Sequence, residues 1–281
     1  MVTKWYVGAM LAVVGFNAYA ASNDIEEVVV TAQKREQTLQ EVPVAVSVVT
    51  SDTIEKAQIN DILDLQSVVP SLRVSQLQTS GNTNFIIRGF GNGANNAGIE
   101  PSVGVFVDGV YRSRTAAAIT DLPNLERIEV LRGPQSTLFG KNASAGVINV
   151  VTRAADPMLM DDVPTGSIGV TLGNYEQIIV DADITAKLSD RVGGSLSGYS
   201  NTRDGYFENL VTGSDLNERD RYGIRGELVF VPNDDMTIRA IADYDVIDEK
   251  CCGVSNLVNG LTGAAVLAVG GNLVAEDGFA Q

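Results

Sequence analysis

Residues 131–140 read Leu-Arg-Gly-Pro-Gln-Ser-Thr-Leu-Phe-Gly, and residues 141–153 continue as Lys-Asn-Ala-Ser-Ala-Gly-Val-Ile-Asn-Val-Val-Thr-Arg. Two apolar segments, residues 128–131 and 147–151, flank a stretch rich in Gly, Pro, Ser and Asn. Gly-Pro is a turn dipeptide, and Gly140 and Gly146 permit backbone angles that other residues avoid. The pattern predicts two strands around a short helical or looped insert, and it contains no catalytic signature.

Composition excludes several classes of function. The 281 residues include 20 basic and 35 acidic side chains and no histidine, which gives a net charge of −15. An acidic chain disfavours nucleic acid, which is bound by clustered Lys and Arg, and no imidazole can serve as a metal ligand or acid–base catalyst. The sequence also lacks a dinucleotide fingerprint, a P-loop and a nucleophile elbow. We therefore predict that the chain is not an enzyme and holds neither a cofactor nor a metal.

The N-terminus predicts export. Lys4 precedes the apolar residues 5–16, and Asn-Ala-Tyr-Ala-Ala follows at residues 17–21. A positive start, a short apolar segment and a small-residue end are typical of a secretory signal peptide. The apolar segment is short for a bilayer span of roughly 20 residues, which disfavours a membrane anchor. We assign residues 1–21 to the signal peptide.

Residues 22–41 form a polar extension with one β-branched run at residues 25–32. A lone strand in a polar setting cannot bury itself. It is either an extended peptide that pairs with the sheet edge of another protein or the first strand of the domain that follows. The residues alone leave both readings open.

Residues 42–155 have the mixed pattern of a compact α+β domain. Short strands are predicted at residues 44–49, 72–77, 85–90 and 103–110. Ser51 or Asp52 is expected to cap a helix whose apolar positions recur with a helical period up to Leu65 and which Val69-Pro70 ends.

Residues 156–281 change to long strands of alternating apolar and polar residues. About five strands of about ten residues, joined by alternately short and long connections, are typical of an antiparallel transmembrane β-barrel, although a soluble sandwich also alternates. A plugged barrel has about 22 strands. We expect this region to be the N-terminal part of a longer barrel, or a truncated product.

Four parts of the sequence, in order along the chain, resemble TonB-dependent outer-membrane transporters: residues 25–32, residues 87–89, residues 105–110, and residues 128–134 together with Gly140 and residues 146–149. The resemblance implies that residues 42–155 are a plug inside a barrel of the 22-stranded plugged type. It also implies that the run at residues 25–32 is a TonB box, through which TonB transmits inner-membrane energy. Members of this family bind ferric siderophores, haem, cobalamin and saccharides.

The resemblance also implies roles for individual residues. The expected TonB-binding residues are Ile25, Glu26, Glu27, Val28, Val29, Val30 and Thr31. The residues of the expected substrate-facing apex are Arg88, Gly89, Phe90, Asn92, Asn95 and Asn96. The alternative is that they form a flexible loop with no role in ligand binding. Arg127 and Arg132 are expected to contact carboxylates of the barrel wall, and the alternative is that they are solvated or paired within the plug.

The function expected from these features is TonB-dependent import across the outer membrane of a Gram-negative cell, with a ferric siderophore or other iron chelate as substrate. The expected partners are TonB with its energising complex, the substrate and outer-membrane lipid. A passive porin, a secreted binding protein and a non-transporting truncated receptor are the alternatives. Cys251 and Cys252 fit no zinc or redox spacing and are expected to pair with each other, to pair elsewhere or to remain incidental thiols.

Overall fold

The computed structural model describes residues 29–31, 34–35, 37–77, 79–91, 98–113, 121, 124–209, 212–253, 260, 262–271 and 273. The predicted signal peptide lies outside the described residues, as do positions 25–28 of the predicted TonB box and Asn92, Asn95 and Asn96 of the predicted apex. Among the helices within the described ranges, none has the length and apolar character needed to cross a membrane.

The segment that decides the fold forms two antiparallel strands around a one-turn helix, as predicted. Strand β9 covers Leu125–Arg132, helix α2 covers Ser136–Phe139 and strand β10 covers Gly146–Thr152. Gly140 ends the helix with a φ of 79°, an angle that glycine adopts without steric cost. A Cβ at position 146 would collide with the carbonyl oxygen of Leu131, which explains the second glycine.

These strands lie at the centre of a five-stranded mixed sheet of order β3-β9-β10-β7-β8. The other members are β3 (Val46–Thr50), β7 (Val103–Val107) and β8 (Val110–Tyr111), and β10 runs parallel to β7. A smaller antiparallel sheet contains β4 (Leu72–Leu77), β5 (Thr79–Ile87) and β6 (Phe90–Gly91). A buried apolar core joins the two sheets and includes Leu65, Ile87, Val130 and Ile148. We refer to the described part of residues 29–155 as the N-terminal unit.

The predicted helix after β3 is shorter than expected, and its cap differs. Helix α1 covers only Ser51–Lys56, and Thr50 caps it through its hydroxyl, which accepts from the Thr53 amide. Gln58 has a φ of 50° and breaks the helix. The Asp61 carboxylate then accepts from the amide of Leu63 at 2.7 Å and starts a separate 3-10 helix at Asp64–Ser67. Local side-chain bonding of this kind competes with helix propagation.

The second half of the chain forms a five-stranded antiparallel sheet of order β11-β12-β13-β16-β17, which we call the wall sheet. Its strands have 8, 12, 12, 15 and 12 residues. They are β11 (Thr165–Leu172), β12 (Ile178–Ser189), β13 (Val192–Arg203), β16 (Arg219–Asn233) and β17 (Met236–Ile247). The predicted alternating strands are confirmed.

The two faces of the wall sheet differ in chemistry. One face exposes large apolar side chains, among them Ile168, Val170, Leu196, Tyr222, Ile224 and Leu228. The other face carries buried polar residues, including Asn201, Arg221, Arg225 and Glu227, and it packs against the N-terminal unit through hydrogen bonds. The predicted fold, an α+β domain followed by antiparallel strands, is therefore confirmed.

Smaller elements complete the described chain. β1 (Val29–Val30) pairs with β2 (Gln37–Thr38), and β14 (Phe207–Glu208) pairs with β15 (Asp215–Leu216). Helix α3 covers Gly263–Ala268. Cys251 and Cys252 form a disulfide with each other, which is one of the three outcomes that the sequence left open.

Candidate functional site

The contact between the N-terminal unit and the wall sheet is built from two clusters of buried charges. In both clusters the N-terminal unit supplies aspartates that come from loops and turns. The wall sheet supplies arginines from its polar face. Ionised groups are rarely buried without partners. The positions of these pairs therefore show where the N-terminal unit and the wall sheet have complementary charges.

The first group, the Arg221 cluster, consists of Arg221, Arg219, Asp61, Asp121 and Glu249. The Arg221 side chain is 1% exposed, and its Nη1 lies 3.2 Å from Asp61 Oδ2 and 3.3 Å from Asp121 Oδ1. Its other edge binds both oxygens of Glu249. Arg219 also binds Asp61, and Asn201 donates to Asp121 at 2.8 Å. One arginine of β16 therefore joins two separate loops of the N-terminal unit to the wall.

Burial raises the pKa of the Asp121 carboxyl from 3.8 to about 6, because loss of hydration outweighs the attraction of Arg221. The neighbouring Asp61 carboxylate acts in the same direction, and the hydrogen bond from Asn201 opposes it. Asp121 therefore binds a proton more readily in the folded protein than in the unfolded chain.

Asp121 is expected to make folding stability fall as pH rises from about 4 to about 6. The pKa of Asp121 in the folded protein lies above its value in the unfolded chain. The stabilisation is therefore complete below pH 3.8 and is lost as the pH rises through about 6. The difference corresponds to an effect on the order of 3 kcal/mol. Melting temperatures in detergent between pH 4 and pH 7.5 should show this decline in the wild type, relative to an Asp121→Asn variant. Parallel pH profiles of the two proteins would contradict the assignment.

The second group, the Asp108 cluster, consists of Asp108, Thr152, Arg225, Arg239 and Glu227. The Asp108 side chain is wholly buried and accepts from the amide and hydroxyl of Thr152, both at 2.9 Å. Arg225 and Arg239 of the wall sheet both bind its carboxylate. Arg239 also lies 2.6 Å from Glu227, which accepts from the Ala155 amide at 3.0 Å. Asp108, which lies in the turn between β7 and β8, is thus an anchor point between the two parts.

The sequence left two possibilities open for Arg127 and Arg132, contact with the wall or pairing within the plug, and their described contacts lie inside the N-terminal unit. Arg127 binds Glu126 and Glu129. An Nη of Arg132 lies 3.4 Å from the Val46 carbonyl oxygen, and its Nε is buried without a hydrogen-bond partner among the described residues. In most ion pairs between the two parts, the N-terminal unit supplies the aspartate and the wall supplies the arginine. One arginine that was not predicted, Arg112, pairs with Asp243 of β17 at 3.0 Å.

The described end of the predicted TonB box lies against the mixed sheet. Val29 is 43% exposed, whereas Val30 is fully buried in an apolar cluster with Val42, Phe106 and Leu131. The Thr31 amide donates to Glu129 Oε1 at 2.8 Å. Glu129 is wholly buried and also accepts from Arg127 at 2.8 Å and from Asn149 at 3.1 Å. The backbone of residues 29–30 pairs with β2, and this segment contacts the five-stranded mixed sheet through the Val30 side chain and the Thr31 amide.

The described part of the predicted apex is a tight, solvent-exposed hairpin turn. Arg88 and Gly89 connect β5 to β6 with φ angles of 53° and 82°, as a type I′ turn requires. The Phe90 side chain is 74% exposed. Arg88 was expected inside a strand covering residues 85–90, and the structure ends β5 at Ile87 and places Arg88 in the turn instead. A substrate-facing role for this turn remains a prediction.

Comparison with known proteins identifies relatives of both parts of the chain. Residues 38–147 match the family model of the TonB-dependent Receptor Plug Domain. The vitamin B12 transporter BtuB of Vibrio vulnificus is 36% identical over 136 residues, which cover 47% of this chain and 21% of that protein. The pesticin receptor of Yersinia pestis is 30% identical over 216 residues, which cover 74% of this chain and 30% of that protein.

A solved structure agrees with these matches. The ferric yersiniabactin uptake receptor FyuA from Yersinia pestis superposes with a TM-score of 0.65 at 26% identity, covering 72% of this chain and 31% of that one. This chain thus spans less than a third of the length of each relative named here. These relatives are named as a transporter and as receptors, and none of the three names describes an enzyme.

Proposed function

We propose that the protein is a TonB-dependent receptor whose plug domain lies at residues 38–147, the residues that match that family model, and that it imports an iron chelate across the outer membrane with energy supplied through TonB. Its substrate is a ferric siderophore or a related complex. The plug domain lies within the N-terminal unit, and residues 156–281 are the first part of the barrel that surrounds it.

The observation that carries this proposal is the relation between the plug and the two faces of the wall sheet. The polar face binds the N-terminal unit through Arg221, Arg225 and Arg239. The opposite face exposes an apolar band, as the lipid-facing side of an outer-membrane barrel does. A passive porin needs an open lumen, and here a folded unit with its own core covers the polar face. A secreted soluble protein would leave the apolar band in contact with water.

An iron chelate is favoured by the matches that extend beyond the plug. The match to BtuB covers 47% of the chain, whereas the matches to the pesticin receptor and to FyuA cover 74% and 72% of it. FyuA is described as an uptake receptor for ferric yersiniabactin. Substrate choice depends on the wall and its loops as well as on the plug, so the longer matches are the more informative ones.

The test is growth of a deletion strain on a panel of substrates supplied one at a time: iron hydroxamates, iron catecholates, ferric citrate, haem, cobalamin and oligosaccharides. We expect loss of growth on one iron chelate, with growth restored by the plasmid-borne gene only when TonB is present. A defect confined to cobalamin or an oligosaccharide would refute the iron assignment. Complementation that works equally well without TonB would refute energised import.

A further inference from the structure

The last residues of the predicted TonB box are docked on one face of β9. Val30 is fully buried in the apolar cluster that includes Leu131. Thr31 binds Glu129, which precedes Leu131 by two residues on the same strand. Side chains two residues apart on a strand share a face. One face of β9 therefore offers an apolar position to Val30 and a polar position to Thr31.

The polar position is a buried carboxylate on which four donors converge. The Glu129 side chain is 0% exposed. Its Oε1 accepts from the Thr31 amide at 2.8 Å, from the Thr31 hydroxyl at 3.3 Å and from Arg127 Nε at 2.8 Å. Its Oε2 accepts from Asn149 Nδ2 at 3.1 Å. Hydrogen bonds to an ionised acceptor are roughly twice as strong as those between neutral groups, so Glu129 is the main polar attachment of Thr31.

Little else attaches β1 to the N-terminal unit in the part of the chain that the structure describes. The backbone of β1 pairs with β2 over two residue pairs, and these two strands form a sheet of their own. An isolated two-stranded hairpin is at best marginally stable in water. Docking of β1 therefore depends on the contacts that Val30 and Thr31 make with the mixed sheet, and its release leaves the order of that sheet unchanged.

The docked position and pairing with TonB compete for the backbone of Thr31. Its amide donates to Glu129, and its carbonyl oxygen accepts from the Lys34 amide at 2.8 Å. Strand addition uses the backbone N–H and C=O groups of the added strand. A strand that pairs with TonB over residues 25–31 must therefore release Thr31 from Glu129.

We propose that Glu129 is a latch that holds the end of the TonB box on the plug and limits access of TonB to the substrate-free protein. The proposal rests on the proposed function, because it takes residues 25–31 as the segment that binds TonB. When only a fraction of the molecules has the segment released, the apparent affinity for TonB is reduced by that fraction. Glu129 thus sets how much of the protein is ready to bind TonB.

Glu129→Gln is expected to tighten TonB binding by about ten-fold, the effect of losing one hydrogen bond to a charged group. A glutamine has one acceptor oxygen, and its NH₂ group faces donors in place of the second oxygen. Arg127 keeps its ion pair with Glu126. The measurement is calorimetric titration of the intact, substrate-free protein in detergent with the soluble periplasmic part of TonB.

Two further variants keep the result interpretable. Asn149→Ala removes one donor to Glu129 and one to the Thr31 hydroxyl. It is expected to tighten TonB binding by a smaller factor, and it preserves the test if Glu129→Gln does not fold. Glu208→Gln is the matched control, because it makes the same change at an exposed glutamate of β14, outside the N-terminal unit. It is expected to bind TonB as the wild type does.

Hydrogen exchange separates a latch from a general loosening of the plug, since amide exchange reports local opening segment by segment. In Glu129→Gln we expect faster exchange in the peptide that contains residues 29–38 and unchanged exchange in the peptides of β9 and β10. Equally faster exchange in all of these peptides would overturn the latch and assign Glu129 to the stability of the mixed sheet.

The titration distinguishes failure of the latch from failure of the proposed function. Equal or weaker TonB binding by folded Glu129→Gln, with normal binding by the wild type, would overturn the latch and leave TonB-dependent import standing. Absence of TonB binding by the wild type and by every variant would overturn TonB-dependent import, and the latch with it.

Discussion

Replacing Arg221 by leucine is expected to lower the free energy of unfolding by about 3–5 kcal/mol, the usual cost of removing one partner from a buried ion pair. The substitution leaves Asp61, Asp121 and Glu249 together, each with a side chain 6% exposed or less. Among the described residues, the remaining ion pair of this group is the one between Arg219 and Asp61, so most of the mutual repulsion and lost hydration is uncompensated. The change also removes one contact of each of the two loops with the wall and leaves Arg219 on Asp61 and Asn201 on Asp121.

The measurement is urea-induced or thermal unfolding of the purified protein in detergent, with protease resistance as a second readout. Lys56→Ala is the matched control, because Lys56 also pairs with an aspartate but lies on the surface, where ion pairs contribute little. We expect that control to unfold with the wild type. Adding Asp121→Asn to Arg221→Leu should recover part of the loss by removing one uncompensated charge. An Arg221→Leu protein as stable as the control would show that the cluster does not anchor the N-terminal unit.

The strands of this molecule could be predicted because they follow from local chemistry. β9 is an apolar segment that Gly133 follows, β10 is a β-branched run that begins at Gly146, and the strict alternation after residue 156 identifies the wall strands. The two-residue turn at Asp108-Gly109 follows from the tolerance of both residues for positive φ. The end of helix α1 could not be foreseen, because it depends on Gln58 adopting a left-handed conformation that helical periodicity does not encode.

The partners of the buried charges required the folded structure. Alternation indicates that Arg221 and Arg225 share the polar face of β16, but it does not indicate which loop they meet. Arg221 binds Asp121, which is 100 residues away, and Arg225 binds Asp108, 117 residues away. The family resemblance predicted that arginines of the N-terminal unit contact carboxylates of the wall. In most of the observed pairs the arginine belongs to the wall and the aspartate to the N-terminal unit. Asp108 gives no sequence signal of an anchor, because an Asp-Gly turn by itself accounts for an aspartate at that position.

Residues 25–31 are proposed to bind TonB by adding a strand to its sheet, and the structure bears on how that proposal is tested. Val29 is partly exposed and pairs with Thr38, while Val30 and Thr31 are held by the mixed sheet. Strand addition depends on backbone N–H groups, so the informative substitution removes an N–H at the exposed position and leaves the buried neighbours unchanged.

Val29→Pro is expected to reduce energised uptake to the level of cells that lack TonB, while substrate binding to de-energised cells stays intact, because proline has no N–H to donate. Uptake and binding are measured with a radiolabelled form of the iron chelate that the growth panel identifies. Val29→Ala keeps the N–H and should transport. Thr38→Pro disturbs the intramolecular partner of Val29 but leaves the box itself unchanged, and it should transport as well. Normal uptake by Val29→Pro would refute the TonB assignment, and equal loss in Val29→Ala or Thr38→Pro would assign the effect to folding of this segment.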